Sequence, residues 1–234
     1  MQRLRSFDAA PDLTPPRPGR CVAPSILSAD FANLAGQVRE VMAAGATVIH
    51  CDVMDGHFVP PITYGPVVVS ALREEFGDEI FLDVHLMIER PELQVEEFAK
   101  AGADGITIHV EATPHLDYTL SAIRQAGCRA GLTVCPGTPP DAFGWVKVDL
   151  ALIMTVNPGW GGQPFLRNQL DKVRQMRATV GDDVPVEVDG GVNPDTAAEC
   201  AEAGASWFVA GSAIFGADDP AQAFSDIAAA AGCA

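Results

Sequence analysis

No stretch of this 234-residue chain approaches the roughly 18 to 20 continuous apolar residues that a membrane-spanning helix requires. The sequence therefore predicts no membrane partner. Cation-bearing side chains are scarce. Lys and Arg number 15 against 31 Asp and Glu, a formal net charge of −16. That balance argues against nucleic acid and anionic lipid surfaces as partners. It also means that an anionic substrate must be captured locally, by backbone dipoles or a metal, because the overall field repels it. The six cysteines, at 21, 51, 128, 135, 200 and 233, are dispersed, with no CxxC pair and no zinc-ribbon spacing. They read as reduced thiols of a cytoplasmic protein. The first 20 residues carry four prolines and four arginines but no apolar core of a signal peptide, and are expected to form a flexible extension. No GxGxxG follows the first apolar run, which counts against a dinucleotide fold.

What is present is a large apolar fraction, 48%, enough for a sizeable core. From Cys21 onward one beat repeats: an apolar run, a polar or Gly/Pro-rich loop, then an amphipathic segment. The runs are Cys21–Leu27, Thr47–Met54, Ile80–Ile88, Gly105–Val110, Arg129–Val134, Val148–Val156, Val184–Val188 and Ser206–Ala210. Helix-like stretches lie between them, at Asp30–Ala44, Gly65–Phe76, Pro91–Ala101, His115–Ala126, a short one near Pro140–Val146, Arg167–Val180, Pro194–Ala203 and Pro220–Ala231. Ser28 or Asp30 suits the cap of the first, and Asn193-Pro194 reads as a cap followed by a first-turn proline. Four helix exits echo one another with a glycine at 45, 102, 127 or 204, where a left-handed residue ends the helix. Eight alternating units over 21–234 predict an α/β fold, a single-domain (β/α)8 TIM barrel. In such a barrel function sits at the C-terminal ends of the strands.

That rule selects a few polar residues. His50 and Asp52 stand two apart near the end of the second run, so they share one face of a strand. His85 ends the third run, with Asp83 on its face, and Asp189 ends the seventh. Either member of one pair alone reads as a hydrogen-bonded polar group tying down a loop. Two histidines and two carboxylates from three strands read as a metal centre: His50, Asp52, His85 and Asp189 suit one divalent ion, Zn, Fe(II), Co or Mn. Asp83 reads as a partner that orients an imidazole. His109 ends the fourth run and is either a fifth donor or a loop tie, while His57 and His115 fall in loop or helix-start positions.

Two glycine-rich stretches follow runs six and seven: Asn157-Pro158-Gly159-Trp160-Gly161-Gly162-Gln163 and Asp189-Gly190-Gly191. Ala210-Gly211-Ser212-Ala213 follows run eight. Glycines there either make tight turns or let backbone N–H groups approach a phosphate. Met54, Met87 and Met154 end strands as core filler or as an apolar lid over the site. A metal, two carboxylates and a phosphate cradle suit proton abstraction beside a carbonyl on a sugar phosphate. With Asp52 and Asp189 on opposite faces of the reacting carbon, one removes a proton and the other returns it on the far side, which is epimerisation.

The motifs Ala23-Pro24-Ser25-Ile26-Leu27-Ser28-Ala29-Asp30-Phe31, His50-Cys51-Asp52-Val53-Met54-Asp55-Gly56-His57-Phe58-Val59-Pro60, Asp83-Val84-His85-Leu86-Met87, Pro136-Gly137-Thr138, Met154 to Gln163 and Val188-Asp189-Gly190-Gly191-Val192 together resemble the ribulose-phosphate 3-epimerase family. The likeness runs from about Val22 to about Pro220. It implies interconversion of D-ribulose 5-phosphate and D-xylulose 5-phosphate through a metal-stabilised enediolate, in homo-oligomers serving the pentose phosphate pathway or Calvin cycle. It implies that His50, Asp52, His85 and Asp189 bind the metal and that Asp52 and Asp189 are the acid/base pair. It implies that Ser25, His85 and Asp189 contact the substrate, that Gly159, Trp160, Gly161, Gly162, Gly190, Gly191, Gly211 and Ser212 hold its phosphate end, and that Met54, Met87 and Met154 cap the intermediate. Two positions depart from the family pattern, Pro61 and Cys135. The neighbouring readings are an epimerase of another ketose phosphate such as allulose 6-phosphate, and a catalytically silent barrel. A decarboxylase of the orotidine-phosphate type needs a lysine where Asp52-Val53-Met54-Asp55 has Met54.

Overall fold

The computed structural model describes residues 19–233. The extension expected over the first 20 residues falls, from 1 to 18, outside the described residues. The strands are β1 Cys21–Pro24, β2 Val48–Met54, β3 Phe81–Met87, β4 Gly105–His109, β5 Arg129–Val134, β6 Leu150–Met154, β7 Val186–Asp189 and β8 Trp207–Ala210. They pair in parallel, in the order β1-β8-β7-β6-β5-β4-β3-β2. A parallel bridge between Ser25 and His50 links β1 to β2 and closes the ring. The helices are α1 Leu34–Ala43, α2 Pro66–Phe76, α3 Val95–Ala101, α4 Leu116–Gln125, α5 Leu170–Val180, α6 Pro194–Ala203, α7 Ser212–Phe215 and α8 Pro220–Ala231. The (β/α)8 architecture read from the alternating pattern is therefore the observed one.

The local signals act as chemistry requires, with three differences. Asn193 caps α6 through a reciprocal capping box with Thr196, ahead of Pro194. Gly45, Gly102, Gly127 and Gly204 all take positive φ, between 85° and 110°. Asp30, however, caps a 3-10 turn, Phe31–Asn33, that precedes α1, and Ser25 rather than Ser28 caps the turn before it. The unit after β5 carries a 3-10 turn, Pro140–Gly144, because Pro139-Pro140 and Gly144 bracket too few residues for a stable α-helix. The four-residue α7 has no sequence signature that distinguishes it from a loop.

Strand alternation divides the apolar side chains between two cores. Ile49, Cys51 and Val53 of β2, with Leu82, Val84 and Leu86 of β3, join the layer packed under the helices. Each such buried side chain stabilises the fold by about 1.5–3 kcal/mol. The opposite parity points into the barrel. Val48, Phe81, Leu150 and Trp207 form its floor, where the Phe81 and Trp207 rings meet edge to face at 5.7 Å. Above the floor the interior turns polar. At the floor end, Arg73 of α2 bonds the carbonyls of Gly77, Ile80 and Gly102 and pairs with Asp104. Arg177 of α5 repeats the device on Gly181, Val184 and Gly204. These pins hold helix ends away from the opposite, open end.

The floor is a solid plug, so removing its largest ring leaves a cavity that the closed ring of strands fills only in part. Trp207→Ala is expected to lower unfolding free energy by about 3–5 kcal/mol in a denaturant titration. A loss below about 1 kcal/mol would show that the plug does not hold the barrel together.

Candidate active site

Register carries the polar residues to one level. β2 and β3 pair His50 with Asp83, Asp52 with His85 and Met54 with Met87. β6 and β7 pair Met154 with Asp189. The side chains of His50, Asp52, His85 and Asp189 are buried or nearly so, and one donor atom from each lies within 4.8 Å of the others. His85 Nδ1 is 3.1 Å from Asp52 Oδ1 and 3.4 Å from Asp189 Oδ2. His50 Nε2 is 3.3 Å from Asp52 Oδ1, yet it is a buried nitrogen without a hydrogen-bond partner among the described residues. A lone buried imidazole nitrogen facing carboxylates is what a cation-binding ligand looks like before the ion arrives. The residues present thus fit a divalent ion, and the four form a possible metal-ligand cluster.

Electrostatics point the same way. Burial pulls His50 down, but Asp52 and Asp83 outweigh it and hold the imidazole well above its ordinary value. His85 is likewise raised: burial opposes, and the hydrogen bonds to Asp189 and Asp52 prevail. Burial pushes Asp52 up, but His50 beside it and hydrogen bonds from both imidazoles leave it below the carboxylate range. Protonation and cation binding would therefore compete for the same imidazole nitrogens.

A further layer fixes the ligands. Asp83 Oδ2 lies 2.6 Å from His50 Nδ1, which leaves Nε2 turned to the cluster. Glu187 sits on the same side, 3.7 Å from that Nδ1, and burial, with Asp83 next, raises its carboxyl well above the ordinary value. Ser25 Oγ donates to Asp52 Oδ2 at 2.5 Å. His85 Nε2 meets His109 Nε2 at 2.9 Å, so His109 stands behind His85 rather than among the four donors. Glu187 was not singled out by sequence, although its position two before Asp189 puts it on the same face.

The cleft above the cluster is lined by Ser25, Met54, Met87, Met154, Gly159, Trp160, Gly161, Gly162, Gly190, Gly191, Gly211 and Ser212 together with Asp52 and Asp189. Of the residues expected to contact the substrate, all but His85 line this cleft. Met54 and Met87 pack together with Val59, and Met154 packs with Leu152 and Val156. Gly190 and Gly191 have φ of 115° and 68°, and an added Cβ would run into Val156 or the Phe165 backbone. A Cβ at Gly211 would come 2.8 Å from Ser28 Oγ. A side chain at any of these positions would therefore clash with neighbouring atoms of the chain. Cleft residues to which the sequence assigned no role at the site include Ser28, Val156, Pro158 and Val209.

A sequence model described as the ribulose-phosphate 3 epimerase family matches residues 21–215. The chain is 51% identical over 203 residues to a ribulose-phosphate 3-epimerase of Serratia marcescens, covering 85% of this chain and 96% of that protein. It is 52% identical over 215 residues to a chloroplastic ribulose-5-phosphate-3-epimerase of Arabidopsis thaliana, covering 89% of this chain and 76% of that protein. Among solved structures, KGPDC from Streptococcus mutans in complex with D-R5P superposes with a TM-score of 0.72 at 18% identity, over 90% of this chain and 96% of that one, a likeness of fold.

Burial holds His109 down at about 4, so its ring is neutral near pH 7. The unfolded chain, with a histidine value of about 6.5, then binds more protons than the fold between those pH values. This residue alone makes the fold less stable as pH falls from about 6.5 to about 4. Ring-nitrogen NMR should show His109 titrating near pH 4, and titration at or above pH 6 would contradict the assigned environment.

Proposed function

Because the chain belongs to the ribulose-phosphate 3-epimerase family, we propose that it interconverts D-ribulose 5-phosphate and D-xylulose 5-phosphate by moving a proton at C3 between two carboxylates. The chain is an epimerase acting on carbohydrate; the particular ketose, the metal dependence and the proton route are the proposal. The observation that carries it is the convergence of Asp52 and Asp189 from non-neighbouring strands onto a cluster of four metal-type donors beneath a glycine-lined cleft.

The steps follow from the residues. The sugar phosphate enters with its phosphate against the backbone of Gly159–Gly162, Gly190, Gly191 and Gly211 and the Ser212 hydroxyl. Backbone N–H groups and a hydroxyl bind an anion without a lysine or arginine, which suits an acidic chain. Trp160 sits at the rim, 58% exposed, where it can cover the entering sugar. His50, Asp52, His85 and Asp189 would hold a divalent ion, which would supply positive charge to offset the negative charge developing on the sugar. One carboxylate takes the C3 proton, and the electron pair moves into the carbonyl to give an enediolate. The other carboxyl returns a proton to the opposite face, which inverts C3. Ser25 holds Asp52 in place through Oδ2. Met54, Met87 and Met154 keep water from the intermediate. Asp83 orients His50 from below through its contact with Nδ1.

The proposal extends to a homo-oligomer in the cytoplasm, which light scattering on purified protein and fractionation of cells test. An epimerase of another ketose phosphate would share all these residues; turnover of ribulose 5-phosphate far below that of allulose 6-phosphate would favour it.

Asp52→Asn and Asp189→Asn should each lower kcat by at least about a hundredfold while circular dichroism stays native. Wild-type turnover in either variant would remove that residue from the acid/base role. Dialysis against a chelator should abolish activity, and adding back a divalent ion should restore it. Full activity in a preparation shown by elemental analysis to hold no metal would defeat the metal assignment.

A further inference from the structure

Among the described residues, one set of mixed donors that shares no member with the four-donor cluster converges near the open end. His109 ends β4, Glu111 lies in the 3-10 turn that follows, and Cys135 comes just after β5. One nitrogen, one oxygen and one sulfur from these residues lie within 4.8 Å of one another. His109 Nδ1 is 3.6 Å from Cys135 Sγ and 3.5 Å from Glu111 Oε2. Zinc bonds of about 2.3 Å to sulfur and about 2.0 Å to nitrogen or oxygen, opened at a tetrahedral angle, set neighbouring ligand atoms roughly 3.3 to 3.6 Å apart. The two separations from His109 Nδ1 are close to those edges with the side chains as they stand.

The frame that holds the three donors is independent of any ion. Glu111 Oε1 accepts the Cys135 backbone N–H at 2.8 Å, which leaves Oε2 on the His109 side. Lys172 of α5 donates to the carbonyls of Cys135, Pro136 and Thr138 at 3.2, 2.9 and 2.9 Å, fixing the segment that carries the thiol. Phe58 packs on the His109 ring at 4.7 Å. The four-donor cluster, by contrast, contains no sulfur.

We propose that His109, Glu111 and Cys135 form a second cation site, for a thiophilic divalent ion such as zinc, and that filling it opposes filling of the first. The existence of the site stands on its own geometry; the opposition rests on the proposed role of His85 as a metal ligand. It follows from counting hydrogens. A neutral imidazole carries one hydrogen on its two nitrogens. An ion on His85 Nδ1 leaves that ring's hydrogen on Nε2, which faces His109 Nε2 at 2.9 Å. His109 then accepts at Nε2 and carries its own hydrogen on Nδ1, the atom turned toward Cys135 and Glu111. An ion in the second site takes that Nδ1 and the thiolate, releasing the thiol proton to solvent. The His109 hydrogen must then sit on Nε2, and two N–H groups meet head to head. Relief requires His85 to leave the first ion or one ring to lose its remaining hydrogen.

Cobalt(II) is the probe, because thiolate ligation gives a sulfur-to-cobalt charge-transfer absorption that nitrogen and oxygen donors do not. In a titration of the metal-free full chain, the first equivalent should bind without that absorption. The absorption should then grow with the second equivalent while epimerase activity falls in step. Cys135→Ser should lose both the absorption and the loss of activity. His85→Asn keeps a polar group near the Nδ1 position and removes Nε2, and should bring the absorption on at lower cobalt. No charge-transfer absorption in excess cobalt, or an absorption that survives Cys135→Ser, would overturn the site. An absorption that grows without loss of activity and does not shift in His85→Asn would overturn the opposition. An absorption that appears with the first equivalent would support the second site while refuting the first as the preferred one.

Discussion

Four carboxyl groups, Asp52, Asp83, Glu187 and Asp189, surround two imidazoles inside a closed ring of strands, nearly all out of contact with water. Everything else in the structure serves that arrangement. Buried charges of one sign destabilise a fold unless something offsets them. Here the offsets are visible one by one. His50 and His85 are driven toward their charged forms, Glu187 is driven toward its neutral form, and Ser25 bonds Asp52. What is left is a net negative pocket with an unpartnered nitrogen, His50 Nε2, in its wall. His50, Asp52, His85 and Asp189 form a possible metal-ligand cluster in that pocket.

The barrel is the means of delivery. A parallel strand places alternate residues in its interior, and the register of β2 against β3 sets histidine and carboxylate side by side at two successive levels. Below them the Phe81–Trp207 plug keeps the interior from becoming a pore. Above them lies the glycine-lined cleft to which the proposed function assigns the phosphate of the substrate. Asp52 and Asp189 come from strands separated by β1 and β8, so they approach the same point from different directions. That is the geometric requirement for inversion at one carbon.

Much of this was legible in the sequence because it depends on periodicity. The spacing of apolar runs yields eight strands, and the parity of His50 with Asp52, and of Asp83 with His85, yields their shared faces. Glycines 45, 102, 127 and 204 end helices for a reason visible in the residue type alone. What stayed hidden depends on contacts between distant segments. Nothing local marks Glu187 as a buried acid beside Asp83, nor tells whether His109 ties a loop or backs His85. The meeting of Cys135 with His109 and Glu111 requires knowing that β4 and β5 are neighbours and how α5 packs on the loop after β5. The short element near Pro140 is a 3-10 turn, Pro140–Gly144, and the four-residue α7 has no local signal; both are set by packing rather than by propensity.

The central claim is that two carboxyl groups, not one, handle the proton. The most direct measurement is the reaction of ribulose 5-phosphate in deuterium oxide, stopped at low conversion and analysed by NMR. A two-carboxylate route predicts xylulose 5-phosphate fully deuterated at C3, while the remaining ribulose 5-phosphate still carries hydrogen there. Product that retains the substrate's own C3 hydrogen would contradict it.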